Sequence, residues 1–412
     1  MKNLFLTACI VLPSIFGLFS CSSDKAHEPE PLRPLNANER TVSSASNDFS
    51  FQLLQEVLKS EPNKNIVISP FSASMALGMT TNGAKDSTKS VMLEALGLSD
   101  LDQDAANQSY RGLIDILGTA DSKITMLNAN SVWYRDSFHV QPTFEETVSA
   151  YFDANVQGLD FTDTEGAKNT INDWVKEKTN NKIQNLIQKI EDKHVMFLIN
   201  AIYFNAPWEY EFDKDLTYQG EFNVEGEGTI NTDMMVLKDG VYKKSYTENA
   251  VLFDLPYGNG QFSMTILLPN EGVSISEVME STNAAKLAEW LDNAEESDIE
   301  LQMPSFEIEF KKEFKDALAQ MGMEKVFTPG QADFNNLFEE QRNDYYLTEV
   351  FQKAYIKVTE EGTEAAAATS VGVGIESIPL TNMINRTFLF LIREKHTNTI
   401  LFNGVVFDPT KE

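Results

Sequence analysis

Four histidines, His27, His139, His194 and His396, carry what acid–base chemistry the chain could offer near neutral pH. A nucleophilic triad would need one of them beside an activated serine, and no serine sits in a Gly-x-Ser-x-Gly elbow. Neither His-Glu-x-x-His nor Gly-x-x-x-x-Gly-Lys occurs. Asp100, Asp102 and Asp104 begin like a calcium loop, but Ala105 stands where glycine must turn the chain and Arg111 where the closing glutamate belongs. A glycosidase carboxylate pair leaves no local spacing, but a solvated acidic surface explains the scattered Asp and Glu better. The expectation is a protein that is not an enzyme and that uses no metal and no cofactor.

A chain can also be the thing acted upon. Residues 360–377 alternate: Thr363, Ala365, Ala367, Thr369, Val371, Val373 and Ile375 are small at first and then apolar and β-branched. The interleaved Gly362, Glu364, Ala366, Ala368, Ser370, Gly372, Gly374 and Glu376 are small or charged. A period of two describes a strand with one buried face. The run of alanines taken alone suits a helix or linker, although the glycines and β-branched residues after it do not. Such a segment could be an exposed loop or an inserted strand, which suggests a two-state device.

The elements that must position it read as helices early and strands late. Apolar residues at helical spacing mark 49–59 (Phe49, Leu53, Leu54, Val57), 75–81, and 171–189 with Trp174, Ile183, Leu186 and Ile187 near one face. Strands are expected at 195–204, 251–255, 262–268, 299–303, 351–358, 388–393 and 400–407. That order predicts a mixed α+β domain.

With 412 residues and 42 % hydrophobic content the chain can build a substantial core, and no linker or repeat divides it after residue 48. The formal net charge of −29 argues against nucleic acid as a partner and against docking of the folded body on an anionic membrane. Lys2 precedes an apolar run over 4–19, too short for an ordinary membrane span and suited to a secretory signal. Leu18-Phe19-Ser20-Cys21 resembles a bacterial lipoprotein cleavage box, in which the cysteine becomes the lipidated N-terminus. The expected organisation is a signal peptide over 1–20, a proline-bearing flexible tether over 21–48 and one folded domain over 49–412. The chain would then be an exported lipoprotein of the outer membrane, on its periplasmic or cell-surface face. Its cysteines are Cys9 and Cys21, so the folded part has no disulfide to lean on.

The flanks of the alternating segment are more specific. Lys357-Val358-Thr359-Glu360-Glu361-Gly362-Thr363-Glu364 runs into Ala365 to Ala368, and Asn385-Arg386-Thr387-Phe388 and Leu401-Phe402-Asn403-Gly404 follow. With Asn65-Ile66-Val67-Ile68-Ser69-Pro70-Phe71-Ser72, Asn200-Ala201-Ile202-Tyr203-Phe204, Trp208, Leu268-Pro269 and Ala332-Asp333-Phe334, this arrangement resembles the serpin family from about residue 49 to 409. The resemblance implies three β-sheets surrounded by eight or nine helices with an exposed reactive-centre loop. It also implies a monomer that acts as an irreversible suicide inhibitor of serine, or cysteine, endopeptidases.

In that family the loop is bait. Cleavage frees the hinge, here Glu360, Gly362, Thr363, Glu364, Ala365, Ala366, Ala367 and Ala368, to enter the main sheet and drag the acylated protease with it. About seven side chains at ~0.5–2 kcal/mol each, with backbone bonds of ~1 kcal/mol apiece, could release on the order of 10–20 kcal/mol. The uncut protein would then be kinetically trapped. Family loop length places the reactive bond between Glu376 and Ser377, suited to a Glu-specific protease. Val371, Val373 and Ile375 offer alternative bonds to elastase-like or subtilisin-like enzymes. Ser69, Ser72 and Asn200 resemble the sheet-opening region, and Trp208 the point of loop entry; a non-inhibitory binding protein is the alternative within the family. Gln352 stands where many members carry His, and Ser305 where many carry a Lys that pairs with the hinge glutamate, here Glu360. Both departures imply that different polar contacts hold the trap.

Overall fold

The computed structural model describes residues 31–363 and 381–411. The stretch from Leu32 to the C-terminus forms one compact unit. Its described residues contain nine α-helices and three sheets, of seven, four and six strands. The α+β expectation holds, with most strands within a few residues of their predicted bounds.

Two elements differ. The first helix runs over Ala37–Ser60, so the folded body does not begin at residue 49 but takes in much of the expected tether. Asn36 and Glu39 close its start in a capping box. Its early turns bury a polar stripe that apolar periodicity cannot reveal. Ser43 Oγ donates to Thr397 O at 2.7 Å, Asn47 Nδ2 donates to Asn398 O at 2.6 Å, and buried Glu39 accepts from both terminal guanidinium nitrogens of Arg33. The helix expected over 171–189 is Thr164–Lys178. Asn180 and Asn181 have positive φ just past its end, and Asn181 N–H donates to Lys176 O at 2.7 Å across the last turn. Ile183, Leu186 and Ile187 are still buried, but from an irregular segment.

Strands Phe388–Glu394 and Ile400–Val406 of the seven-stranded sheet are buried throughout, which is why they read as mainly apolar runs. Within this sheet Arg393 and Asp254 form a buried ion pair at 3.1 Å. The six-stranded sheet separates two cores. Ile202, Phe204, Ala206, Ala354, Ile356 and Val358 belong to the main one. Ala129, Trp133, Phe197, Ile199 and Ala201 meet Ile171 and Val175 of the Thr164–Lys178 helix in the other.

Candidate functional site

The centre of the six-stranded sheet holds a strand of two residues, Gly362–Thr363. It lies between Phe351–Thr359 and Met196–Pro207, antiparallel to both. Gly362 pairs with Thr359 and Pro207, and Thr363 with Val358 and Ala206. The two long strands do not pair with each other. Glu360 and Glu361 therefore make a two-residue turn that sends the chain back down the sheet.

Glycine is required at the first position. Gly362 has φ +151°, and a Cβ there would stand 2.1 Å from the carbonyl oxygen of Ala206. Thr363 is buried, and its hydroxyl meets the Tyr257 hydroxyl at 2.6 Å. Burial pushes the Tyr257 phenol up, so it stays neutral. The Trp208 ring stacks on Tyr257 at 4.2 Å, and its Nε1 donates to Thr359 O at 2.9 Å.

The segment after Trp208 clamps the turn from outside. Trp208 N–H donates to Glu361 O and Phe212 N–H to Glu360 O, each at 2.9 Å. Thr217 Oγ1 donates to the Glu360 carboxylate at 2.7 Å, and Lys214 pairs with Glu361, which raises the Lys214 pKa. Ser305 leaves Glu360 to Thr217. Its own N–H donates to Asp233 O at 3.0 Å, and an open groove of about 570 Å³ remains between Lys214, Thr217, Ser305, Lys357 and Glu360.

A second polar cluster lies under the same sheet. Ser69 N–H donates to Gln352 Oε1 at 2.7 Å, and Gln352 Nε2 donates back to Ser69 O at 2.8 Å. Ser69 Oγ donates to Leu401 O at 2.7 Å. Gln352 thus ties the Phe351–Thr359 strand to the start of the Pro70–Thr81 helix, where Pro70 occupies the first position. Ser72 is buried in that first turn. Asn200 donates to Asn130 Oδ1, and Asn130 Nδ2 donates to Phe152 O at 2.6 Å.

The structure thus brings Glu360, Gly362, Thr363 and Trp208 together at the top of the sheet, and sets Ser69, Ser72 and Asn200 along its buried side. Glu364, Ala365 to Ala368, Val371, Val373, Ile375, Glu376, Ser377 and Cys21 lie outside the described residues. Tyr257, Thr217, Lys214 and Asn130 carried no motif, since each partner is distant in sequence. Among the described residues no group of three His, Cys, Asp or Glu side chains is placed to hold a metal.

A family model described as Serpin (serine protease inhibitor) matches residues 44–409. The chain belongs to the serpin family. Serpin A3-5 of Bos taurus is 31 % identical over 378 residues, which cover 91 % of this chain and 90 % of that protein. The crystal structure of human glycosylated kallistatin superposes with a TM-score of 0.83 at 27 % identity, over 92 % of this chain and all of that one. Human thyroxine-binding globulin, solved as a complex with thyroxine, gives 0.82 at 28 % identity, over 91 % of this chain and 100 % of that one. Serpins as a family are protease inhibitors and bind target proteases.

Proposed function

We propose that this serpin is an active, irreversible suicide-substrate inhibitor of serine endopeptidases. The observation that carries the reading is the register of Gly362 and Thr363. Thr363 faces the main core between Val358 and Ala206. Continued downward, the same register would set Ala365 between Ile356 and Phe204, Ala367 between Ala354 and Ile202, and Thr369 between Gln352 and Asn200. The small and β-branched set thus falls on the apolar face, and its one hydroxyl past the alanines meets the two buried amides. Every second residue shares a face, so a slip of one would turn Glu364 inward instead. No proline or inward charge lies between Thr363 and Ile375 to impede entry.

The reactive bond is assigned to Glu376–Ser377, with Val371, Val373 and Ile375 as secondary sites, and the targets to Glu-specific, elastase-like or subtilisin-like proteases. A lipid on Cys21 would hold the body at the membrane.

The test is to mix the protein separately with an elastase-like and a Glu-specific protease and run denaturing electrophoresis. A covalent complex should survive, and the cleaved protein should melt well above the uncut one. Cleavage without a complex and without a rise in melting temperature would overturn the inhibitory reading in favour of a binding protein.

A further inference from the structure

A buried polar side chain without a partner calls for a reason, because it gives up water and gains nothing in return. Three such atoms gather at the foot of the six-stranded sheet, the end away from the Gly362–Thr363 strand: Arg135 Nε, His194 Nε2 and the Tyr345 hydroxyl. His194 is accounted for. Its Nδ1 accepts from the Glu191 N–H at 3.1 Å, which leaves the proton on Nε2, 3.6 Å from the Glu349 carboxylate. Among the described residues nothing comparable meets the other two. Arg135 Nη2 donates to Asp192 O and His194 O, each at 3.0 Å, so the guanidinium is held in place while its Nε stays unused.

Arg135 and Tyr345 line one cavity of about 550 Å³, within the range of small-molecule sites. Tyr345 is 4 % exposed, its ring packed 6.1 Å from Phe138 and 5.3 Å from Phe338, with the Arg342 guanidinium 5.8 Å from its centre. Burial pushes its phenol up to about 12, so the hydroxyl keeps a proton to donate. Lys193 and Arg342 add two more cations to the lining, against the carboxylates of Asp192 and Asp344. Arg342 holds Asp344 at 2.6 Å, so the lining keeps a positive balance in a chain of net charge −29. Phe138, Val195, Pro329 and Tyr346 complete it with largely apolar surface.

We propose that this cavity binds a small aromatic carboxylate, its oxygens on the Tyr345 hydroxyl and Arg135 Nε and its ring against Phe138 and Tyr346. An anion is the chemistry that satisfies two stranded donors at once, and such charge-assisted bonds are about twice as strong as neutral ones. An inorganic anion would leave the apolar walls wet, whereas an aromatic ring covers them and suits the planar guanidinium of Arg342. A cationic ligand would be repelled by Arg135, Lys193 and Arg342. The site involves no residue of the cleaved loop, so it stands whether or not the serpin inhibits a protease.

The test is equilibrium binding to the uncut protein, by titration calorimetry, of phenylacetate and 3-phenylpropionate. Phenylacetamide serves as the neutral match and inorganic phosphate as the anion without a ring. One carboxylate per chain should bind, with the amide and phosphate about tenfold weaker or more. Tyr345→Phe should weaken binding by about tenfold, the loss of one hydrogen bond to a charged group. Lys193→Ala, at a half-exposed side chain, should weaken it by about twofold and reduce its salt dependence. Because the hydroxyl has no partner in the uncut protein, Tyr345→Phe should melt at or above the wild-type temperature, which separates lost binding from lost folding. No binding of either carboxylate at millimolar concentration, binding unchanged by Tyr345→Phe, or phosphate bound as tightly as the aromatic acids would each overturn the proposal. So would a Tyr345→Phe protein that melts lower, since the hydroxyl would then serve an internal partner.

Discussion

Replacing Gln352 by leucine isolates the tie under the sheet. The side chain is 6 % exposed, and leucine nearly matches its volume, so what is lost is the pair of hydrogen bonds at 2.7 and 2.8 Å to the Ser69 backbone. Ser69 O keeps a partner in the Ala73 N–H at 3.0 Å, whereas the Ser69 N–H loses its own. Two net bonds at ~1 kcal/mol each, with a further 1–2 for the stranded donor, put the cost at about 3–4 kcal/mol. Over the roughly 380 residues from Leu32, an unfolding entropy of about 2.1 cal/mol/K per residue gives ~0.8 kcal/mol/K, and the melting temperature should fall by about 4–5 °C. Scanning calorimetry of the uncut protein at fixed scan rate is the assay. Because the tie joins the strand to the helix beneath it, the variant should also lose inhibitory capacity faster on warm incubation. Gln352→His offers one donor and one acceptor from a shorter ring and should recover part of the loss. A leucine variant that melts within ~1 °C of wild type would refute the reasoning.

Thr363→Arg should turn inhibitor into substrate, because the Thr363 side chain is 2 % exposed and a guanidinium there would lose its hydration; denaturant-resistant complex at the wild-type rate would contradict this. Tyr257→Phe keeps the stack on Trp208 but strands the Thr363 hydroxyl, so the uncut protein should lose about 1–2 kcal/mol in a denaturant titration, and an unchanged midpoint would count against it. His194, buried beside Glu349, is held down to about 4 by loss of solvent, below its unfolded value near 6.5. Its neutral form is favoured in the fold, so the stability it contributes is whole above pH ~6.5 and declines as pH falls toward ~4, by up to ~3 kcal/mol. His194→Gln should flatten that part of the stability curve; identical slopes in the two proteins would dismiss the assignment.

What the sequence revealed follows from where each signal resides. Phe388–Glu394 and Ile400–Val406 announce themselves because apolar residues predominate on both their faces. Strands Asp213–Val224 and Gly228–Leu237 went unread because their exposed faces carry charges that mask the alternation. The early turns of the first helix were mistaken for a tether because Glu39, Ser43, Ser46 and Asn47 are buried polar residues, and burial of a polar group depends on partners as far away as Thr397 and Asn398. The Gly362–Thr363 strand was legible as the start of a local alternation. Its supports were not: Thr217 and Lys214 lie more than a hundred residues upstream and show no pattern that ties them to it.

The geometry of the turn also explains why the residues after Thr363 are small. Closing a strand pair carries its largest entropy cost at the start, before any bonds reward it. Here that step is complete in the uncut protein, since the Glu360–Glu361 turn is closed, its two carbonyls are held by Phe212 and Trp208, and the first two residues are paired on both sides. Under the proposed mechanism insertion is extension from an existing nucleus, and none of the clamp contacts has to break for it to proceed. What remains is to fit each next side chain between Phe351–Thr359 and Met196–Pro207, and a methyl group needs the least room. Alanine at 365 and 367 suits the stage when the acylated protease could still hydrolyse its ester and escape. The bulkier Val371, Val373 and Ile375 come later, when added contact counts for more than speed.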